Sequence, residues 1–259
     1  MQHRVAYATH IGRTHRKNQD SGGAWTWQRD DGIPVSVAVV ADGVSSGPTS
    51  ELASKLAVDT LRLQLECVAP DTSKDLDALL NALRAAAEQA SRDIGGDAAP
   101  TPTSDATTFV ACCCLGREVG GIWYGDSRVY RVSRREADPV TRDHSWAEGM
   151  VSRGLMTAKE AEHDPRAHAI TRWLGPQGGG DAEPDIFRLM LKPGESVLCC
   201  SDGLYSYFAP PLGSSDEMAE TLGNSRDDLQ SGLDRLVARA LQRGGHDDIT
   251  GAAIRLVNG

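Results

Sequence analysis

The stretch Val35 to Gly47, VSVAVVADGVSSG, decides how this chain is read. Val35 to Ala41 is apolar except for Ser36, which predicts a strand covered on both faces. The strand then breaks into a polar turn. There Gly43-Val44-Ser45-Ser46-Gly47 matches G-x-S-x-G, the turn that presents the nucleophile of serine hydrolases. Yet the first residue to leave the strand is Asp42, followed by glycine. An exposed carboxylate beside an open backbone suits a hard cation as well as Ser45 suits an acyl group.

Other strands end in the same way. GIWYGDS presents Asp126, VLCCSDG presents Asp202, and Asp247-Asp248 directly precedes the apolar run ITGAAIRLV. Asp20 closes HRKNQD near the start. A single Asp-Gly after a strand is ordinarily a turn. Several carboxylates at buried strand ends are costly unless paired, and they raise one another's pKa unless a cation neutralises them. The pattern is therefore compatible with a divalent metal site without deciding it.

The elements around these turns define the architecture. Strands are predicted over Arg4–Thr9, Val35–Ala41, Thr107–Leu115, Gly121–Tyr124, Val129–Val132, Ile186–Leu191, Ser196–Cys200 and Thr250–Val257. In Ser50–Glu66, Leu52, Leu56 and Leu63 with Ala53 and Ala57 form one apolar stripe. In Asp75–Ile94 the stripe is Leu76, Leu79, Leu80, Leu83, Ala87, Ala90 and Ile94. A third helix is expected near Asp227–Arg243, and capping boxes at Thr157/Glu160 and Ser214/Glu217 mark two shorter ones. GGDAAPTPTSD, Gly95 to Asp105, reads as an internal crossing rather than a linker, because the strands after it lack a helical cover of their own. The segregated order of strands and helices predicts one α+β domain, not a doubly wound parallel sheet.

Composition narrows the function classes. The chain has 259 residues, 40% hydrophobic and 24% charged, in the ordinary globular range. Its net charge of −9 and pI near 5.2 oppose a phosphate-backbone partner, and 5% aromatics leave little for base stacking. Five of the six cysteines lie in apolar runs, where neighbours on a strand point to opposite faces and cannot clamp a metal. They are expected as reduced thiols in a cytoplasmic protein. MQHRVAYATHIGRTH has no signal-peptide core, and no run is long enough to span a membrane.

Taken in order, these motifs resemble the metal-dependent protein serine/threonine phosphatases, the PPM or protein phosphatase 2C family, over nearly the whole chain. GRTHRKNQDS is similar to the opening motif, and VAVVADGVSSGPTSELASKLAV to the Asp-Gly strand and first long helix. ATTFVACCCLG with WYGDSRVYRV resembles the central hairpin, and TRDHSWAEGMVSRGLMTAKEAEHDPRAHAITRWLG the Asp-His-Ser segment and flap. SVLCCSDGLYSYF and GGHDDITGAAIRL resemble the last two acidic motifs. Seven motifs in register make the resemblance specific.

The resemblance implies a four-layer α-β-β-α sandwich of two antiparallel sheets flanked by helices, with a flap at about 146–172. It implies hydrolysis of phosphoserine and phosphothreonine monoesters in proteins, by direct attack of a hydroxide bridging two Mn²⁺ or Mg²⁺ ions. Asp42 would bridge the ions, the Gly43 carbonyl would join one, and Asp202 and Asp247 would hold the other. Asp126 with Asp202 would form a third, weaker site, and Asp20 would orient water. By family analogy a separately encoded Ser/Thr kinase is a partner; no nucleic acid or membrane is expected.

The chain also departs from the family pattern. The common opening is R-x-x-x-E-D, with arginine on the substrate phosphate and glutamate at a metal; here the positions are His15 and Gln19, a form found in bacterial branches. His15 is then the expected phosphate contact, with Arg13 or Arg16 as substitutes. Val44 stands where some members carry a proton-donating histidine, and His144 is read as structural. Asp248 replaces a common asparagine, which leaves Asp247 or Asp248 as the ligand, with alignment favouring Asp247. Two rival readings remain: a regulatory pseudophosphatase, suggested by Gln19, and a serine hydrolase using Ser45, Asp202 and His246.

Overall fold

The structure is a computed structural model that describes residues 1–44, 49–71, 74–96, 105–176, 183–223 and 228–258. Its strands are β1 (Gln2–His10), β2 (Asp20–Gln28), β3 (Pro34–Asp42), β4 (Phe109–Leu115), β5 (Glu118–Tyr124), β6 (Arg128–Val132), β7 (Ala137–Pro139), β8 (Asp185–Met190), β9 (Ser196–Cys200) and β10 (Ile249–Val257). Its helices are α1 (Ser50–Val68), α2 (Leu76–Gly95), α3 (Trp146–Ser152), α4 (Ala158–Glu162), α5 (Asp202–Tyr205), α6 (Ser215–Gly223) and α7 (Leu229–Gln242). Two antiparallel five-stranded sheets run β1-β10-β9-β6-β7 and β2-β3-β4-β5-β8.

The double-sided burial of β3 explains the layering. Val35, Val37, Val39 and Ala41 point to α1 and α2, while Ala38 and Val40 meet Cys112, Cys199 and Ile254 between the sheets. The outer face of the other sheet packs Leu198 and Ala253 against Leu204, Met218, Leu233 and Leu236 of α5, α6 and α7. Alternation at period two thus feeds three apolar layers, and the result is the α-β-β-α sandwich.

Several local expectations shift. β2 adds a strand that the sequence pattern does not mark, because DSGGAWTWQ carries paired glycines and little alternation, and β7 is only three residues long. On α1 the buried face is Ala53, Ala57, Val58, Leu61 and Leu65, whereas Leu52 and Leu63 are 58% and 65% exposed. The expected stripe is therefore rotated, because small residues let the helix lie close to the sheet. β4 begins at Phe109; Thr107 instead forms isolated bridges to Gly43 and Leu174. The capping box at Thr157/Glu160 is complete. At Ser214/Glu217 only half forms, since the Glu217 carboxylate is drawn to Arg239 and Arg243. Most of the Gly95–Asp105 crossing, and Asp227, lie outside the described residues. Among the described residues, no helix is long and apolar enough to cross a membrane.

Candidate active site

The aspartates converge because the strands that carry them end on one side of the sandwich. Asp20 opens β2 and Asp42 closes β3, and antiparallel pairing sets them opposite each other. Thr108 fixes the Asp42 backbone: its hydroxyl accepts from the Asp42 N–H at 3.0 Å, and its own N–H donates to the Asp42 carbonyl at 2.8 Å. Gly43 follows in a crevice, where a Cβ would lie 2.6 Å from the Ser50 carbonyl and 2.7 Å from that of Gln19. Only glycine fits there, because the obstacles are backbone atoms.

Asp202 starts α5 at the end of β9, and Gly203 follows because a Cβ would collide with the Asp248 carbonyl. Asp126 sits in the β5–β6 turn after Gly125, whose φ of +94° favours glycine. Ser201 links the two sheets at this end: its hydroxyl donates to Asp20 Oδ2 at 2.8 Å and accepts from the Thr250 N–H at 3.0 Å. No sequence signal pointed to Ser201, a small polar residue before a conspicuous Asp.

The electrostatics are those of uncompensated anions. Burial first, then the charges of Asp20, Asp202, Asp126 and Asp247, push the Asp42 carboxyl well above its ordinary range. Asp20 and Asp202 are raised for the same reasons. Burial, with Asp202 and Asp143 nearby, pushes Asp126 up to about 7. Oδ1 of Asp20 and Oδ1 of Asp202 are buried with no hydrogen-bond partner among the described residues. Arg128 offsets the rise at Asp126 only in small part, since its Nε and Nη2 are both held at 2.7 Å by Asp143 and it stacks 3.9 Å above Tyr205. Carboxylate oxygens with free lone pairs, mutually repelled and desolvated, are the donor set that hard divalent cations take.

Asp247 and Asp248 divide. Asp248 is 2% exposed and accepts from the N–H of Gly12 at 2.9 Å, from the N–H of Gln19 at 2.7 Å and from His15 Nδ1 at 3.0 Å. Asp247 is half exposed and lines a cavity with Asp202. The ligand atoms of His15, Asp247 and Asp248 lie within 4.8 Å of one another. We read that trio as a clamp on the opening loop, because Asp248 already accepts three hydrogen bonds.

His15 is therefore not free in the loop. Its bond to Asp248 raises its pKa against partial burial, which keeps it cationic to higher pH, and Nε2 has no protein partner among the described residues. Arg13 and Arg16 are exposed and outside any ion pair among those residues. Gln19 contributes through its backbone, its carbonyl accepting from the Gly43 N–H at 3.1 Å and the Ser54 hydroxyl at 2.6 Å. His144 stacks on Trp123 and accepts from the Gly125 N–H at 3.1 Å, which steadies the turn bearing Asp126. Ser45 lies outside the described residues, and His246 is exposed with its N–H donating to the Tyr207 hydroxyl at 2.8 Å.

Comparison with known proteins bears on the same chemistry. A sequence model of the family described as "Protein phosphatase 2C" matches residues 9–241. The serine/threonine phosphatase stp of Listeria monocytogenes is 28% identical over 252 residues, covering 94% of this chain and 92% of that protein. The solved structure of the PPM Ser-Thr phosphatase MsPP from Mycobacterium smegmatis, in complex with cacodylate, matches 98% of both chains at 30% identity with a TM-score of 0.73. The catalytic domain of the serine/threonine phosphatase PstP, in complex with two manganese ions, matches 99% of both chains at 26% identity with a TM-score of 0.74.

Proposed function

We propose, from the premise that this chain belongs to the protein phosphatase 2C family and is a protein serine/threonine phosphatase, that its aspartate cluster is the hydrolytic centre. Asp42, the Gly43 carbonyl, Asp202 and Asp247 would hold two Mn²⁺ or Mg²⁺ ions, and Asp126 with Asp202 a third. The observation that carries this reading is the cluster of carboxylates, Asp20 buried and Asp42, Asp126 and Asp202 partly buried, all raised in pKa by desolvation and mutual charge. The unpartnered Oδ1 of Asp202 fits the same role. When bound, the paired cations supply a water of lowered pKa for direct attack on phosphorus and neutralise charge on the phosphoryl oxygens.

The protein's own groups set the geometry. Asp20, held by Ser201, faces Asp42 across the sheet and accepts protons or orients water beside it. Thr108 fixes the Asp42 backbone, and the tight crevice at Gly43 holds the residue that follows it. His15, cationic through its bond to Asp248, would meet the substrate phosphate, with Arg13 and Arg16 on the same loop. Residues 1–259 would act as one catalytic unit, with the 146–172 segment as its flap. Phosphoserine and phosphothreonine proteins, including those modified by a separately encoded kinase, would be its substrates. The unpaired strand cysteines fit a reducing, cytoplasmic setting.

The serine-hydrolase reading has no support from the family placement, and the pseudophosphatase reading rests on Gln19 alone. The deciding test is hydrolysis of an aryl phosphate and a phosphothreonine peptide with Mn²⁺, with Mg²⁺ and with chelator, beside Asp202→Asn. Turnover should require a cation and collapse in the variant. Turnover that persists in chelator would sink the metal reading.

A further inference from the structure

A cavity of about 350 Å³ opens beside Asp126 and Asp202 and extends to α3 and α4, whose side of it has no part in the chemistry above. That side is apolar and acidic together. Val151, Ala158 and the buried Ala161 and Ala167 supply apolar surface, and the carboxylates of half-buried Glu148 and exposed Glu162 complete it. Neither glutamate enters an ion pair among the described residues. The nearby cations are committed elsewhere: Arg128 to Asp143, and Arg166 to Asp164 with its guanidinium 4.1 Å from the Trp146 ring. His168 is the other titratable group lining this side.

With Asp126 and Asp202 given to cations and Arg128 balanced by Asp143, the uncompensated charge of the lining is that of the two glutamates. We propose that this cavity is a subsite for a basic side chain flanking the phosphorylated serine or threonine, and that Glu148 and Glu162 select it. Lysine and arginine match both halves of the lining, with an alkyl stem for the alanines and valine and a charged head for the carboxylates. A purely apolar side chain would desolvate the glutamates without return, and an acidic one would be repelled. This subsite rests on the phosphatase reading, since it is defined by adjacency to Asp126 and Asp202.

The test uses phosphothreonine peptides that differ only in carrying arginine or glutamate at each flanking position in turn, assayed with Mn²⁺ at low salt. Arginine should be favoured over glutamate at one or more positions by about tenfold in kcat/KM, the size expected of one half-buried and one exposed ion pair. High salt should compress that ratio, because these charges face solvent. In E148Q/E162Q the ratio should fall towards unity, and in E148K/E162K it should invert. E162Q alone, at an exposed position, gives the same readout at reduced size if a double variant folds poorly. Equal rates on all peptides, or an unchanged ratio in E148Q/E162Q, would overturn the subsite. Wild-type protein that hydrolyses aryl phosphate yet ignores the flanking residue refutes the subsite alone. Wild-type protein inert to aryl phosphate and every peptide refutes the phosphatase reading and the subsite with it.

Discussion

Stripping the protein of divalent cations and then raising the pH should destabilise it, in contrast to most proteins over the same range. Asp126 titrates near 7 in the folded chain against 3.8 ordinarily, so between those values the folded state holds a proton that the unfolded state has released. Stability then falls as pH rises, by up to about 1.4 kcal/mol per pH unit for one such group. From pH 5 to pH 7, Asp126 alone accounts for at most about 2 kcal/mol, because the group is already half ionised at pH 7 and its carboxyl, on a cavity wall, is partly screened by solvent. Asp20, Asp42 and Asp202 are shifted in the same direction, and raised His15 also loses its stabilising protonation as pH climbs. His3 and His144, both lowered by burial, oppose the trend, since they recover stability as pH rises towards 6.5. Asp164, Asp185 and Glu195, held below their ordinary range, have completed their contribution before pH 5. A fall of about 2 kcal/mol corresponds to a drop of about 4–8 °C in Tm for a chain of this size. Melting curves at pH 5, 6, 7 and 8 in chelator, each repeated with saturating Mn²⁺, measure it directly. The cation binds only the folded, ionised cluster, so the Mn²⁺ series should gain stability with pH. A chelated protein whose Tm is flat or rises from pH 5 to pH 7 would refute the uncompensated cluster.

Further outcomes follow from single contacts. Asp248→Ala leaves the N–H groups of Gly12 and Gln19 and the His15 ring without their acceptor, and should cost about 3 kcal/mol in urea unfolding. Gly43→Ala forces a Cβ against two carbonyls, and should weaken Mn²⁺ binding in calorimetry by more than about tenfold, with overpacking costing about 1–3 kcal/mol. Leu61→Ala should cost about 2–5 kcal/mol and Leu52→Ala under about 0.5, opposite to the order the apolar stripe predicts. A double-mutant cycle of His15→Arg with Asp248→Asn should show a coupling of about 1–2 kcal/mol in urea unfolding; additive effects would mean the two side chains do not share their bond.

Strand ends were legible in the sequence, and side-chain partnerships across the fold were not. An apolar run that stops at Asp-Gly announces both the end of burial and the group presented there, which is why Asp42 and Asp202 stand out without any structure. The two-sided burial of β3 could likewise be read from Val35–Ala41, since both of its faces are apolar. β2 could not, because Gly22 and Gly23 serve close approach rather than propensity: a Cβ at Gly22 would lie 2.7 Å from the Val39 carbonyl. The α1 stripe misled because alternation between Leu and Ala does not say whether the large or the small residues face the sheet. Ser201 and Thr108 join elements far apart in the chain, and no local pattern marks a hydroxyl for such a bond.

The two departures from the family's pattern that looked independent in the sequence touch each other in space. His15 stands where the resemblance expects arginine, and Asp248 where it expects asparagine, yet Nδ1 of the one lies 3.0 Å from Oδ2 of the other. A histidine cannot supply a permanent charge by itself, because its ordinary pKa sits near neutrality. An aspartate at 248 adds the missing bias: it holds the imidazole protonated to higher pH and orients it by the same bond. An asparagine there could accept from only one of the Gly12 and Gln19 N–H groups, which bond to different oxygens of Asp248, and it would carry no charge to raise the histidine. The negative charge at 248 is therefore explained by His15 rather than by a cation. That leaves Asp247, half exposed and lining the cavity beside Asp202, as the residue of the pair that the proposed metal site would use.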